Sequence, residues 1–254
     1  MRSSPRRECA AFSLLEVVIA ICVAAILAAG LAIPLAAQLQ ARRADESRRQ
    51  LDEARDALFG FAAAHGRLPC PASAASRGEE AFAAGGDAGN GRCADFHAGL
   101  LPAAALGLAP LDDAGFLRDP WQATANHVRY AVHGGTVNGV THPLTRVNGM
   151  QSATLQGLAA APHFLFVCAT GEGADASGCG PAANQLTRRA AFVLLSLGPN
   201  AAAVGAAGPD ETRNLDGDAS FVSHEASASG FDDVVHWASI HALIHRLVSA
   251  GRLP

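Results

Sequence analysis

Residues 12–37 read FSLLEVVIAICVAAILAAGLAIPLAA, and the fold turns on how this stretch is read. It is apolar throughout except for one charge, Glu16. As a helix rising about 1.5 Å per residue it would be about 39 Å long, enough to cross a hydrocarbon core of about 30 Å. Ahead of it, MRSSPRRECAA (residues 1–11) carries Arg2, Arg6 and Arg7 against Glu8. The expectation is one membrane span, with its basic end in the cytoplasm and the rest of the chain in an oxidising space outside.

Glu16 does not suit a plain leader or a plain anchor. A carboxylate inside a span costs about 2.5–3.5 kcal/mol on insertion scales and is normally kept only with a partner. Cleavage by a signal peptidase after Ala32 would put Pro34 second in the mature chain and need an unusually long apolar stretch. An uncleaved anchor would tolerate Glu16 near the cytoplasmic interface. A cut between Ala11 and Phe12 instead makes Glu16 the fifth residue of the mature chain. AFSLLEVVIAI then resembles the processing site of type IV prepilins and type II secretion pseudopilins: a short basic leader, a small residue before the cut, Phe first, Glu fifth and an unbroken apolar run. Ala11 departs from the Gly usual in that family. The resemblance implies removal of residues 1–11 by a prepilin peptidase, N-methylation of Phe12, and assembly through the apolar helix. It also implies a single-pass inner-membrane protein with its C-terminal domain in the periplasm, joining a filament after assembly. Glu16 would pair there with the Phe12 amine of a neighbouring subunit and set the register.

Beyond residue 37 the pattern becomes amphipathic over 38–65, with Leu39, Leu51, Ala54, Leu58, Phe61 and Ala62 spaced by three and four between Arg, Asp and Glu. Gly66 followed by Pro69 is a helix stop, and Pro34 should bend or loosen the helix where it falls. Residues 67–118 read mainly as loop, with a short helix over LLPAAALGL. Strands are expected at VRYAV (128–132), HFLFVC (163–168), AAFVLLSLG (190–198) and DVVHWA (233–238). Ser239 caps a last helix striped by Ile240, Leu243, Ile244, Leu247 and Val248. The expected fold class is α+β and pilin-like: a leader (1–11), an assembly helix (12–37), its outer half (38–65), and a head (66–254) in which that half packs on a small antiparallel sheet beside a C-terminal helix.

Two further stretches are similar to the major pseudopilin of type II secretion: Asp119-Pro120-Trp121 before VRYAV, with Gln122 and Ala123 replacing a Gly-Asn pair, and FVLLSLGPN leading through an acidic loop to FDDVVHW. That loop carries Asp210, Glu211, Asp216, Asp218, Asp232 and Asp233. The resemblance implies a calcium site drawing on Asn200, Asp232 and Asp233, with Asp216 and Asp218 as further candidate ligands. Ca²⁺ takes six to eight oxygens, which a flexible acidic loop can supply. The alternative is a solvated acidic loop.

Of six cysteines, Cys9 leaves with the leader and Cys22 lies in the apolar stretch. Among the three pairings open to the other four, nearest-neighbour bridges Cys70–Cys93 and Cys168–Cys179 would staple two loops. His241 and His245 stand one helical turn apart without the Glu of a zinc helix between them. All 19 basic residues are Arg, which excludes a Walker A lysine, a pyridoxal Schiff base and a Ser-x-x-Lys nucleophile. A net charge of −4 provides no field for nucleic acid. No catalytic constellation is present in the sequence. The reading is a structural subunit, not an enzyme, whose partners are other pilins or pseudopilins, the prepilin peptidase, the inner-membrane assembly platform and lipid. The alternative is a membrane-anchored periplasmic enzyme or binding module with an uncleaved anchor.

Overall fold

The computed structural model describes residues 14–121, 126–201, 208–226 and 230–254, with the backbone alone over 27–37. The processing residues Ala11 and Phe12 lie outside the described residues. The chain divides into two units, Met1–Ala44 and Asp45–Pro254.

The first helix, α1, spans Leu14–His65, with Glu16 in its first turn. Its early side chains are apolar and exposed, Leu14 at 83% and Ile26 at 72%. Among the described residues no helix is long and apolar enough to cross a membrane. That overturns the expected crossing over 12–37 and the single-pass inner-membrane, periplasmic location built on it.

The second unit begins with the amphipathic part of α1. Leu51, Ala54, Leu58, Phe59 and Ala62 bury one stripe of it in the core, as period-3.6 spacing requires. The opposite face carries i,i+3 pairs, Arg48–Asp45 at 3.3 Å, Arg49–Glu46 at 2.6 Å and Arg55–Asp52 at 3.0 Å. Such exposed pairs contribute at most about 1 kcal/mol each. The helix stops at Gly66, whose φ of +68° favours glycine and whose N–H donates to the Ala62 carbonyl at 2.8 Å. From the other end of the chain, Arg252 Nε donates to the Ala63 carbonyl at 2.7 Å, tying the two helix ends together.

The sheet runs β1 (Gly99–Leu100), β2 (Arg129–Val132), β6 (Gln185–Ser196), β5 (Leu165–Cys168) and β7 (Ser220–Val222), while β8 (Val234–Ser239) pairs β6 off that path. A separate hairpin joins β3 (Thr136–Val137) to β4 (Val140–Thr141). Short helices α2 (Gly149–Ala153) and α3 (Leu155–Ala160) precede β5, and α4 (Pro209–Arg213) precedes β7. Helix α5 (Ile240–Ser249) closes the chain, its N-terminus capped by Ser239 Oγ accepting from the Ala242 N–H at 3.2 Å.

Alternation along β2 and β6 divides the core in two. Val128, Tyr130, Val132, Phe192 and Leu194 face the cluster containing the α1 stripe and Leu243 and Leu247 of α5. Ala131, Val193 and Leu195 face a second cluster with Leu165, Val167 and Phe221. Tyr130, 1% exposed in the first, donates its hydroxyl to the Pro69 carbonyl at 3.1 Å.

The fold expected from the sequence is corrected on three counts. The sheet is six-stranded and mixed, not small and antiparallel, because β7 returns beside β5 in the same direction, with Phe166 opposite Ser220 and Cys168 opposite Val222. Within the compact unit, only the part of α1 from Asp45 onward belongs to the head, so a long N-terminal helix packed on the sheet does not describe it. LLPAAALGL forms turns instead of a helix: the Ala104 and Ala105 N–H groups both donate to the Gly78 carbonyl, and Gly107 has a φ of +67°.

Candidate functional site

Ser196 ends β6, and Leu197-Gly198 turns the chain toward the acids that precede β8. Gly198 has a φ of +64°, and a Cβ there would lie 2.2 Å from Asp232 Oδ1. The turn therefore takes glycine both for its backbone angle and for the close approach of a carboxylate. On the far side, Pro209 starts α4 and its first turn carries Asp210 and Glu211. Asp210 Oδ1 accepts from the Gly171 N–H at 2.6 Å, whereas Glu211, 2% exposed, faces inward.

Glu211, Asp232 and Asp233 thereby converge, each offering an oxygen within 4.8 Å of the others. Asn200 Nδ2 donates to Glu211 Oε1 and Oε2 at 2.9 and 2.8 Å and to the Gly230 carbonyl at 3.1 Å. The Asp232 N–H donates to Glu211 Oε1 at 2.9 Å. Asn214 Nδ2 donates to Asp233 Oδ2 at 2.7 Å while its Oδ1 accepts from the Val222 N–H at 2.7 Å, locking the asparagine between cluster and sheet. Asp232 Oδ1 is buried without a hydrogen-bond partner.

The electrostatics follow from crowding acids away from water. Burial first, then the charge of Glu211, push the Asp232 carboxyl up to about 6. Burial likewise pushes Asp233 up to about 7, with Glu211 and Asp232 adding repulsion, against the Asn214 hydrogen bond and the Arg129 charge. A set of hard oxygens with raised proton affinity and one unpaired buried oxygen matches the donor chemistry of a divalent cation such as Ca²⁺. Turning the Asn200 amide would present its oxygen in place of the two N–H donors.

The residues singled out in the sequence separate in space. Asn200, Asp232 and Asp233 come together. Asp216 and Asp218 do not join them: Arg213 Nη1 holds Asp216 Oδ2 at 2.5 Å and Asp218 Oδ2 at 2.8 Å. Glu211 takes the third acidic position. It was visible in the sequence only as one more loop acid, and the signal that could have found it is Pro209, a helix start that turns Asp210 and Glu211 in different directions. Both disulfides are present, Cys70–Cys93 and Cys168–Cys179, and Cys22 is a free cysteine. His241 and His245 are exposed on α5 and belong to no metal-binding group among the described residues. Within the Asp119-Pro120-Trp121 segment Asp119 Oδ1 accepts from the Trp121 N–H at 3.1 Å, and it is Asn126 that reaches the glycine turn, its Nδ2 donating to the Gly198 carbonyl at 3.4 Å.

No family model matches the chain, and neither a curated protein nor a solved structure shows significant similarity to it.

Proposed function

We propose that the chain is a structural subunit of the pilin type, a pseudopilin or minor pilin of a type II secretion pseudopilus or type IV pilus, assembled through the first part of α1. The observation that carries this reading is the apolar surface of that helix. Leu14, Leu15, Val17, Val18, Ile19, Ile21, Val23 and Ile26 are all exposed on it, beside Glu16 in the first turn. Covering each such side chain stabilises an assembly by about 1.5–3 kcal/mol, so this surface calls for a partner, and equivalent helices of neighbouring subunits have the shape and polarity to provide it. In this reading Glu16 sets the register as the helices pack, beside the new amine of Phe12 that the prepilin-like cut at Ala11–Phe12 supplies.

In this reading the acidic cluster is structural. A Ca²⁺ held by Glu211, Asp232 and Asp233 would lock α4 and the loop before β8 against the glycine turn, and it supplies no reaction.

The test is incorporation. Glu16→Ala and wild-type chains are expressed together with partner subunits, and sheared filaments are assayed for each. Wild type is expected in the filaments and the variant depleted; equal incorporation of both contradicts a pairing role for Glu16.

A further inference from the structure

A cavity of about 570 Å³ opens where the loop after Gly66 meets the short edge strand β1. Its apolar walls are small, Pro71, Ala72, Ala81, Ala98 and Leu100, and the polar Ser73 and His127 lie in its lining with Arg129 of β2. Arg129 opposes Leu100 of β1 and Leu195 of β6 in the register. Strand alternation puts it on the side of the sheet away from the buried Tyr130. Its Nε is buried without a hydrogen-bond partner, and among the described residues no carboxylate forms an ion pair with it. Asp233 acts on it only from longer range.

We propose that this cavity binds a carboxylate carried on a small aliphatic body, the guanidinium of Arg129 taking the carboxylate and the alanine walls the body. The guanidinium of Arg129 is half-buried, and a planar carboxylate satisfies two of its donors at once. The volume lies in the range of small-ligand sites, where apolar walls and one oriented polar group are the usual composition. The alanine, proline and leucine side chains among these walls leave room for a short aliphatic chain. Asp95 also lines the cavity, but it is exposed, and its Oδ1 is taken by the His97 and Ala98 N–H groups at 2.8 and 3.0 Å. Its repulsion is therefore screened by water. The proposal rests neither on calcium in the acidic cluster nor on assembly through the first part of α1, so its test does not depend on the proposed function.

The carboxylate can come from a free small acid or from the end of a peptide chain, and the probes distinguish these. The full chain, labelled with ¹⁵N, is titrated with butyrate, with its neutral counterpart butyramide, and with trialanine bearing a free C-terminus. Butyrate is expected to shift the amides of Ala98, Gly99 and Leu100 with a dissociation constant in the millimolar range, and butyramide to leave them in place. Trialanine binding more tightly than butyrate assigns the site to a chain terminus; weaker or equal binding assigns it to a free acid. Arg129→Gln should weaken butyrate about tenfold or more, and Arg129→Lys should recover part of the loss. Ala98→Phe, at an exposed wall position, should block the cavity while the fold and the charge remain. Equal shifts with butyrate and butyramide, no shifts with either, or butyrate binding unchanged in Ala98→Phe would overturn the proposal.

Discussion

Gly198 and Asp232 are so close that a Cβ on residue 198 would come within 2.2 Å of Asp232 Oδ1. The glycine also has a φ of +64°, where an L side chain is strained. Gly198→Ala is therefore expected to destabilise the head by about 1–3 kcal/mol from backbone strain and the displaced carboxylate. Thermal unfolding measures it. Gly107→Ala is the control: its φ is +67° but nothing lies within 4 Å of the added carbon, so only the backbone part of the loss should remain.

The acidic cluster should couple cation binding to protons. Asp232, up to about 6, and Asp233, up to about 7, hold protons in the fold that the unfolded chain has already lost. Without a cation these two groups favour the fold below about pH 4, and that contribution is lost as pH rises toward 7. Calcium must displace those protons, so its affinity should rise over the same interval. Melting temperatures with calcium and with chelator at pH 5 and pH 7.5 check this, and a larger calcium shift at pH 7.5 is expected. Glu211→Gln should abolish the shift, whereas Asp216→Asn, whose carboxylate belongs to Arg213, should keep it.

His133 should add an opposite slope. Burial first, then the nearby His163, His97 and His142, pull it down to about 4. It is 8% exposed and edge-on to Phe164 at 4.9 Å. The unfolded chain takes up this proton near pH 6.5 and the fold resists it, so stability falls as pH drops from about 6.5 to about 4, by up to about 3 kcal/mol. In urea unfolding across that interval, His133→Leu should lose this acid sensitivity.

The two disulfides close loops with sequence separations of 23 and 11. Chain entropy assigns each about 2–4 kcal/mol. Cys70→Ala with Cys93→Ala should cost somewhat more than Cys168→Ala with Cys179→Ala, because its loop is longer. Denaturant midpoints of the two double variants give the comparison.

Much of the head could be read in advance because its signals are local. Short apolar runs mark Arg129–Val132 and Leu165–Cys168, and Ser239 before a stripe of Ile240, Leu243 and Leu247 marks the last helix. The parallel pairing of Phe166 with Ser220 left no such trace, since it joins segments more than fifty residues apart in a loop-rich region. Glu211 was hidden for the same reason: its place beside Asp232 depends on the helix started by Pro209, not on spacing. Over LLPAAALGL local propensity was a poor guide, because the Gly78 carbonyl captures the N–H groups that a helix would use.

The central claim, a pilin-type subunit processed between Ala11 and Phe12, is tested most directly by the mass of the mature chain isolated from cells with an active prepilin peptidase. The account predicts a chain beginning at Phe12 and about 14 mass units heavier than its sequence, from one methyl group on the new amine. An intact chain beginning at Met1 in such cells would contradict it.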